Sequence, residues 1–290
     1  MVKDTRKTDA VFSAVNTFIL ILIAVVTLYP FYYVLVASVS KIRYVSSGSI
    51  LWFPRGFNID AYKSVLRSPL LPETFMNTVF ITLVGTSISL VFTIIGAFVL
   101  SRRILPGKGI FTGIIVITML FDGGLIPFYL TVNSLNLINT RWALIIPFCG
   151  SVYNMIVMRN FFMALPTALE ESATIDGCGP LRTLLFIILP LSLPSIATIA
   201  LMFAVGYWNT YFYGVLFMND SKLWPLQVLL REILVEDRMK ELMVEESILN
   251  TPTETMKMAM IIISTLPILC LYPFLQRYFV KGMLMGSIKG

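Results

Sequence analysis

The first long stretch without charge limits what this chain can fold into. No residue is charged from Ala10 to Ser40, whereas about 20 consecutive apolar residues are enough for a helix to cross the hydrocarbon core of a bilayer. The stretch is also longer than the apolar region of a signal peptide. Its apolar residues are continuous rather than alternating, which favours a membrane-spanning helix over a strand of a transmembrane barrel.

Further apolar runs predict an all-α integral membrane protein with about six transmembrane helices. With 57% apolar and 13% charged residues and a mean hydropathy of +0.83, the chain cannot cover a large surface in contact with water. No internal repeat or low-complexity linker divides it, so we expect a single transmembrane domain over residues 1–290. The spans are predicted at residues 11–37, 75–100, 110–130, 142–163, 186–207 and 257–278.

Missing and isolated residue types exclude several classes of chemistry. The chain has no histidine, which removes imidazole-based catalysis and imidazole metal sites. Cys149, Cys178 and Cys270 show none of the paired spacings of metal or redox sites and are expected to be packing residues. We predict no catalytic residue and no metal site. The net charge of +6 fits the cytoplasmic face of a membrane, because no basic run is dense enough for nucleic acid.

The short loop from Ser101 to Lys108 indicates the orientation. It carries Arg102, Arg103 and Lys108, and short loops rich in Lys and Arg stay on the cytoplasmic side. Basic residues as a whole divide evenly between the two sides, but the outer segments are longer, so the density of basic residues is higher inside. The short loop is the strongest single indication of this orientation. With six spans, both termini of this multi-pass protein are then expected on the cytoplasmic side of the cell membrane.

A cytoplasmic loop over residues 164–185, called the elbow below, predicts a short helix. Pro166 suits the first turn of a helix, where its missing N–H has no cost. Glu170 and Glu171 are favoured near the positive N-terminal end. Gly177 suits the left-handed position that ends a helix.

The second half of the elbow predicts a turn and another short helix. Gly179-Pro180 favours the turn, and a helix is expected from about Leu181 into the fifth span. Ala168, Ser172 and Ile175 share one mostly small face of the first helix, which would let a partner's backbone approach closely. A surface helix that only connects two spans explains the same residues equally well.

One motif in the elbow resembles the EAA signature of ABC-importer permeases, E-A-A-x3-G-x9-I-x-L-P. Glu171-Ser172-Ala173 is followed by Gly177 and then by Ile187-Ile188-Leu189-Pro190, with the family's spacing throughout. Ser172 in place of the first alanine is the one departure, and it exchanges one small residue for another.

Other segments are similar to the carbohydrate-uptake type of these permeases. They resemble the second permease of the maltose importer and, more closely, the complex-polysaccharide uptake branch. The resemblance covers most of the chain. The residues that carry it are Asp176, Pro194, the external segment 48–57 and the tail Lys281-Gly282-Met283.

The resemblance implies a type I ABC importer permease fold and a transport mechanism. In that family the elbow docks into a cleft on a separate ATPase subunit, and ATP binding closes two ATPases and switches a pair of permeases from inward- to outward-facing. The implied partners are a second homologous permease, two ATPase subunits, an external solute-binding protein, an oligosaccharide and the lipid membrane, without nucleic acid. The implied coupling residues are Glu170, Glu171, Ser172, Ala173, Asp176 and Gly177.

ATP and Mg²⁺ would be bound by those ATPase subunits, and no cofactor by this chain. Its one Gly-Lys pair, Gly107-Lys108, has Arg102 where the first glycine of a P-loop belongs and Gly109 where Ser or Thr belongs. The chain is therefore predicted to be a transport subunit rather than an enzyme.

Asp122 is the one acid predicted well inside a span. An ionisable group near the bilayer centre costs about 2.5–3.5 kcal/mol on insertion scales, so it must face a cavity or a partner. Gly123-Gly124 and Pro127 follow it, and the helix is expected to open there. Asp122 would either line the sugar path or lie near the outer mouth, solvated or paired with the partner permease.

Aromatic and amide side chains cluster at the outer end of the fifth span. Tyr207, Trp208, Asn209 and Tyr211 would suit a sugar, which stacks on aromatic faces and hydrogen-bonds to amides. Tyr and Trp are also the residues of the aromatic belt at membrane interfaces, and that interpretation explains the cluster as well.

Pro190 and Pro194 lie four residues apart at the start of the fifth span. Proline kinks a helix, and membrane helices tolerate it when neighbours satisfy the freed carbonyl groups. The pair predicts either a hinge for alternating access or a fixed bend.

Two other transport functions remain open from the sequence. The elbow does not depend on the substrate, so an ABC permease for a non-sugar solute would carry the same motif. A secondary transporter driven by an ion gradient would place several charges near the midplane and show repeats, whereas this chain offers Asp122. A membrane scaffold would need neither an ATPase nor a cavity.

Overall fold

Every regular element is helical within the described part of the chain, which comprises residues 5–48, 52–102, 105–235 and 253–287 of a computed structural model. This confirms the predicted all-α class. The chain forms two compact units. The first contains the described residues of Met1–Pro69 and Glu232–Thr265, and the second contains those of Leu70–Arg231 and Leu266–Gly290.

The first unit begins with a long apolar helix. Most side chains of this helix are exposed, as expected of a span whose surface faces lipid. Its C-terminal end is different, because Val36 and Ala37 are buried together with Val45. The hydroxyl groups of Ser38 and Tyr62 lie 2.7 Å apart and join the first and third helices. The helices are α1 (Thr5–Ser38), α2 (Ile42–Ser46) and α3 (Asp60–Leu66).

The second unit contains the elbow and the remaining helices. Short 3-10 turns at Arg141–Leu144, Ile146–Phe148 and Ser221–Leu223 and a π-helical turn at Leu184–Ile188 interrupt them. The helices are α4 (Leu70–Ser101), α5 (Lys108–Leu120), α6 (Leu125–Ser134), α7 (Val152–Ala164), α8 (Thr167–Ile175), α9 (Pro180–Thr183), α10 (Leu189–Leu191), α11 (Leu193–Trp208), α12 (Phe212–Phe217), α13 (Leu226–Val235) and α14 (Thr253–Ser287), of which α13 and α14 extend into both units.

The core of the second unit lies where α4, α7 and α11 pack together. Glycines on α4 allow the close approach. A Cβ at Gly85 would lie 2.7 Å from the Tyr207 ring of α11, and a Cβ at Gly96 would lie 2.7 Å from Cε of Met155 of α7. The fully buried residues of this core include Ile81, Leu144, Ile145, Met158, Ile188, Ile199 and Phe217.

Within the described residues, three single helices are long and apolar enough to cross a membrane, namely Phe12–Ser38, Leu70–Ser101 and Glu254–Leu271. Three pairs of helices pass the same test only together, and each pair is bent. The bends are 110° between α5 and α6, 47° between Arg141–Phe148 and α7, and 84° between Pro180–Leu191 and α11. If each bent pair is one span, length and composition allow six spans among the described residues.

The bend of 110° changes the expected position of Asp122. We expected it well inside a span, but α5 ends at Leu120 and α6 starts at Leu125, so Asp122 lies exposed in the connection. Gly123-Gly124 explains the break, because glycine is unfavourable in a helix and Gly124 has a φ of +83°. The Asp122 carboxylate also accepts a hydrogen bond from the Gly124 N–H at 3.1 Å, which stabilises the turn.

Candidate functional site

The elbow contains a short helix with a well-defined end. Pro166 lies one residue before α8 begins, at the N-cap. At the other end Gly177 has a φ of +74°, and two backbone hydrogen bonds close the turn. The Gly177 N–H donates to Thr174 at 3.1 Å, and the Cys178 N–H donates to Ala173 at 2.9 Å. This is the Schellman pattern, in which glycine is favoured at the left-handed position, as the sequence predicts for Gly177.

The next helix starts close to its predicted position. Gly179 is the N-cap of α9 and has a φ of −70°, and Pro180 is its first residue. Proline is favoured there because the first helical N–H has no partner within the helix. The helix therefore begins one residue before the predicted Leu181.

The predicted small face of α8 is the face that points away from the unit. Ala168 and Ser172 are exposed, and Ile175 keeps 86% of its surface accessible. Glu171 is also exposed, whereas Ala173 is 2% exposed and packs inward. The signature residues therefore fall into two groups. Glu171 and Ser172 are exposed and available to a partner, whereas Ala173 is buried and packs α8 against its own unit.

An ion pair attaches α8 to the end of α4. The Arg102 guanidinium donates to the Glu170 carboxylate, and both side chains are about one quarter to one third exposed. The same guanidinium lies 4.0 Å from the ring centroid of Phe98, which orients it by a cation–π contact. The loop after α4 and the elbow therefore lie on the same face of this unit.

Two further cations bind the last carbonyl groups of α4. Arg159 of α7 donates to the Leu100 carbonyl at 3.2 Å, and Lys108 donates to the Ser101 carbonyl at 3.3 Å. Cations are favoured at the negative C-terminal end of a helix. Sequence reasoning uses Arg102 and Lys108 for the orientation in the membrane and to exclude a P-loop. The separations of 68 residues between Arg102 and Glu170 and of 59 residues between Arg159 and Leu100 hide these two contacts from any local pattern.

The elbow continues into α11 through an irregular segment. A π-helical turn covers Leu184–Ile188, and the chain then bends by 84° at Ser192. Pro190 and Pro194 lie on the two sides of this bend. Proline removes a backbone donor, and π-helical turns are frequent at functional sites. The structure thus places both predicted hinge residues at a real change of direction.

A cavity of about 400 Å³ lies beside the end of α11. Of the predicted sugar-path residues, Tyr207, Asn209 and Tyr211 line it. Trp208 is 4% exposed and instead packs against Phe75, with ring centroids 6.0 Å apart. The other lining residues are Phe148, Ser151, Asn154, Met202, Phe203, Gly206, Thr210, Phe212 and Tyr213.

A second cavity of about 440 Å³ contains Asp122. It shares Phe148, Phe212 and Tyr213 with the first cavity, so these aromatic rings form a common wall. The ring centroids of Phe148 and Tyr213 are 4.5 Å apart. The structure therefore brings Asp122 close to the aromatic cluster. Sequence reasoning did not single out Phe148, because a phenylalanine in an apolar run is indistinguishable from a core residue.

Tyr207 is fixed in the cavity wall by α4. Its hydroxyl lies 2.8 Å from the Ser89 hydroxyl and 3.4 Å from the Ile145 carbonyl. Its ring packs directly on the backbone at Gly85. A tyrosine held at both its ring and its hydroxyl is a rigid part of the wall.

No group suited to a metal ion is found in the described part of the chain. A search for three or more neighbouring His, Cys, Asp or Glu side chains finds none there. Cys149 and Cys178 are half-buried and Cys270 is exposed, all as free thiols.

Proteins of known type are similar in sequence to this chain over most of its length. The family described as "Binding-protein-dependent transport system inner membrane component" matches residues 6–285. The polygalacturonan/rhamnogalacturonan transport system permease protein YtcP of Bacillus subtilis (strain 168) is 44% identical over 273 residues, which are 93% of this chain and 96% of the relative.

Solved structures agree in fold. A chain of a bacterial ABC transporter involved in the import of the acidic polysaccharide alginate superposes with a TM-score of 0.87 at 34% identity, covering 94% of this chain and 98% of the other. A chain of the bacterial alginate ABC transporter in complex with alginate pentasaccharide-bound periplasmic protein has a TM-score of 0.57 at 14% identity and covers 93% of each chain. The second likeness shows the fold alone.

These matches confirm the resemblance seen in the elbow motif, and with it the type I permease fold. The chain is thus an integral membrane permease subunit and belongs to the family of binding-protein-dependent transport system inner membrane components of ABC transporters.

Proposed function

We propose that this chain is the permease subunit of an ATP-driven ABC importer that translocates an oligosaccharide, such as a polysaccharide fragment, across the cytoplasmic membrane. The names of its relatives, which refer to polygalacturonan/rhamnogalacturonan and alginate, support a carbohydrate substrate. The observation that carries the proposal is the elbow. Its short helix α8 presents an exposed face. It lies between α7 and α9, which belong to two of the bent pairs that are long and apolar enough to cross a membrane.

In the proposed assembly this chain pairs with a second homologous permease. Two ATPase subunits bind ATP and Mg²⁺ on the cytoplasmic side, and a solute-binding protein delivers the sugar from outside. This chain binds no cofactor and does not hydrolyse ATP. Both termini lie in the cytoplasm, on the side of the basic loop and the elbow.

The exposed face of α8 suits a cleft on an ATPase subunit. Ala168 and Ser172 are small enough for close backbone approach, and Ile175 offers an uncovered apolar side chain. Burying an isoleucine side chain contributes about 1.5–3 kcal/mol. Glu171 on the same exposed surface adds a charge that selects the partner by electrostatic complementarity.

Motion of α8 has two routes into the membrane helices. One is the Glu170–Arg102 ion pair, which connects the elbow directly to the end of α4. The other follows the chain through Gly177 and α9 into the π-helical turn and the bend at Ser192. Because α4 and α11 pack on each other, the two routes act on one core. Pro190 and Pro194 are the proposed hinge residues of the second route.

The two adjoining cavities are the proposed substrate path in this subunit. Tyr207 and Tyr211 offer aromatic faces for a sugar ring, Asn209 offers an amide, and Asp122 offers a carboxylate that accepts hydrogen bonds from sugar hydroxyls. Trp208 contributes packing, since it is buried against Phe75. The Arg231 guanidinium lies 4.8 Å from the ring centroid of Tyr211 and places a positive charge beside this wall.

The test is transport by the purified assembly. The chain is co-expressed with its permease and ATPase partners and reconstituted in liposomes, and ATP hydrolysis and uptake are measured with the binding protein and a panel of oligosaccharides. We expect the rates of ATP hydrolysis and of uptake to rise together with an oligosaccharide substrate. That substrate is either an oligosaccharide of uronic acids or a neutral oligosaccharide of the same length. An assembly with an ATPase subunit that cannot hydrolyse ATP is the control. Uptake that needs an ion gradient and no ATPase would overturn the proposal.

A further inference from the structure

A cationic pocket, lined by Arg141 and Lys222 among others, lies at the end of α4 opposite to the elbow. It has a volume of about 460 Å³. Its lining includes Asn77, which lies about 36 Å along the helix axis from Ser101, at a rise of about 1.5 Å per residue. The hydrocarbon core of a bilayer is thinner than this, at about 30 Å. Because the Ser101 end of α4 adjoins the elbow, the pocket lies on the opposite face of the unit.

One buried amide builds the pocket from three segments of the chain. The Asn77 side chain is 0% exposed. Its nitrogen donates to the Lys222 carbonyl at 2.6 Å, and its oxygen accepts from Nε of Arg141 at 2.8 Å. One residue further on, the Thr78 hydroxyl accepts from the Leu226 N–H at 2.7 Å. These contacts fix the 3-10 turns that contain Arg141 and Lys222 against α4, so the pocket is preorganised.

The same contacts leave the charged ends of two exposed cations free. Arg141 uses Nε for Asn77, and its Cζ lies 5.3 Å from the ring centroid of Phe80. Within the described part of the chain, neither the two Nη groups of Arg141 nor Nζ of Lys222 has a hydrogen-bond or ion-pair partner. A guanidinium that is fixed through Nε presents its two Nη groups side by side, which suits a carboxylate.

The rest of the pocket combines one acid with an apolar floor. Glu73 is the acidic residue of the lining, so the pocket carries two positive charges and one negative charge and attracts an anion overall. Pro72, Met76 and Leu223 supply the floor. A carboxylate on a short hydrocarbon stem, as in Asp or Glu, fits both the cations and this floor. The pocket shares no lining residue with the two cavities of the proposed substrate path.

We propose that Arg141 and Lys222 form a docking point for an acidic side chain of the extracellular solute-binding protein. The inference rests on the proposed function, which brings that partner to the face opposite to the elbow. The partner's carboxylate binds between the two cations, and its stem lies on the apolar floor. A sugar is the poorer occupant, because the pocket lies outside the substrate path. Charge complementarity of this kind speeds association and helps to select the correct partner.

The experiment measures docking of the binding protein to the assembled transporter in lipid nanodiscs. The probe is the sugar-loaded binding protein that stimulates ATP hydrolysis by the reconstituted assembly. We expect Lys222→Gln to raise the dissociation constant about threefold at low salt, as for an exposed ion pair, and high salt should remove the difference. If no binding protein docks to the wild type, the proposed function fails and this inference with it. Docking that Lys222→Gln leaves unchanged overturns the inference alone.

Glu73→Gln separates the effect of charge from damage to the pocket. It removes the negative charge of the lining, so docking should become tighter, whereas general disruption would weaken docking in Glu73→Gln and Lys222→Gln alike. That second result would overturn the proposal. Lys63→Gln is the matched control, because it makes the same change of charge at an exposed lysine outside the pocket. It should dock as the wild type does.

A carbodiimide cross-link identifies the partner's carboxylate directly. The reagent activates a carboxylate, and a lysine amine in contact with it then forms an amide. We expect a link between Lys222 and an Asp or Glu of the binding protein, located by mass spectrometry and absent from Lys222→Gln. Exchanging that acid for lysine should restore docking to Lys222→Glu. A link from Lys222 to a uronic acid of the sugar instead would show that the pocket binds substrate, and would overturn the proposal.

Discussion

Arg102 and Glu170 form an ion pair that joins the end of α4 to the first turn of the elbow helix. Partly exposed ion pairs contribute about 0–1 kcal/mol to stability, so this pair has little effect on folding. Its value lies in geometry, because the cation–π contact with Phe98 holds the guanidinium in place. The pair is therefore a direct contact between α8 and the end of α4, and in the proposed mechanism it links the docking helix to a membrane helix.

Removing the charge of Glu170 should weaken coupling while leaving the assembly intact. In Glu170→Gln we expect sugar uptake per ATP hydrolysed to fall about three- to tenfold, because α8 loses its fixed attachment to α4. The melting temperature should change little, as expected for a partly exposed pair. The measurements are ATP hydrolysis and uptake in the same liposomes. Glu171→Gln, which changes an exposed carboxylate on the same helix, separates loss of this link from loss of ATPase docking.

A charge exchange provides the stricter test of the same pair. Arg102→Glu with Glu170→Arg restores an ion pair across the same gap, so uptake should be higher in the double variant than in either single variant. A double-mutant cycle isolates that interaction. Strictly additive losses would show that the two side chains act independently.

The left-handed backbone at Gly177 predicts a position-specific effect of valine. Gly177→Val forces a β-branched residue to a φ of +74°, which it resists. We expect the variant permease to assemble, but it should lose most of its sugar uptake. Much less of the ATPase subunit should co-purify with it. Gly179→Val is the control, since Gly179 has equally open space but a φ of −70° that valine accepts. Similar behaviour of the two variants would exclude backbone geometry as the cause.

Asp122 contributes a negative charge and also a hydrogen-bond acceptor that stabilises the turn, and two variants separate these contributions. Asp122→Asn keeps an oxygen that accepts from the Gly124 N–H, whereas Asp122→Ala loses both the acceptor and the charge. If Asp122 serves the substrate path, uptake should fall several-fold in both variants while the assembled complex survives. The measurement is uptake at saturating binding protein, with subunit stoichiometry as the control. Wild-type uptake by both variants would instead indicate a solvated carboxylate near the cavity.

Two glycines on α4 should respond differently to the same methyl group. Gly85→Ala drives a Cβ to 2.7 Å from the rigid Tyr207 ring and displaces its hydroxyl from Ser89. Overpacking of this kind costs about 1–3 kcal/mol, so its melting temperature and its uptake should fall. Gly96→Ala meets the flexible end of Met155, which can move aside. Its melting temperature should equal or exceed that of wild type, because alanine favours a helix by about 1 kcal/mol.

Local chemistry made the elbow predictable. A helix near Pro166, its end at Gly177 and a turn at Gly179-Pro180 follow from the backbone preferences of proline and glycine, which act within a few residues. The structure differs from these predictions by one residue at each start, because Pro166 is the N-cap of α8 and α9 begins at Pro180. The outward face of Ala168, Ser172 and Ile175 also follows from helical spacing. The long apolar runs predict helices by the same local logic, because the bilayer requires them.

Contacts between distant segments could not be predicted in this way. Nothing near Arg102 in the sequence indicates Glu170, and nothing near Asp122 indicates the wall formed by Phe148 and Tyr213. In an apolar chain, aromatic residues of a cavity and of a core have the same appearance. Trp208 illustrates this limit, since the structure buries it beside Phe75 while its neighbours Tyr207 and Asn209 line the cavity.

The bare side chain of Ile175 has a consequence for how the cell must produce this subunit. Ile175 keeps 86% of its surface accessible, and in the proposed assembly an ATPase subunit covers it. A copy made in excess of the ATPase subunits would therefore expose this apolar side chain to chaperones and proteases. On this proposal, balanced synthesis of the subunits protects the permease soon after it is made.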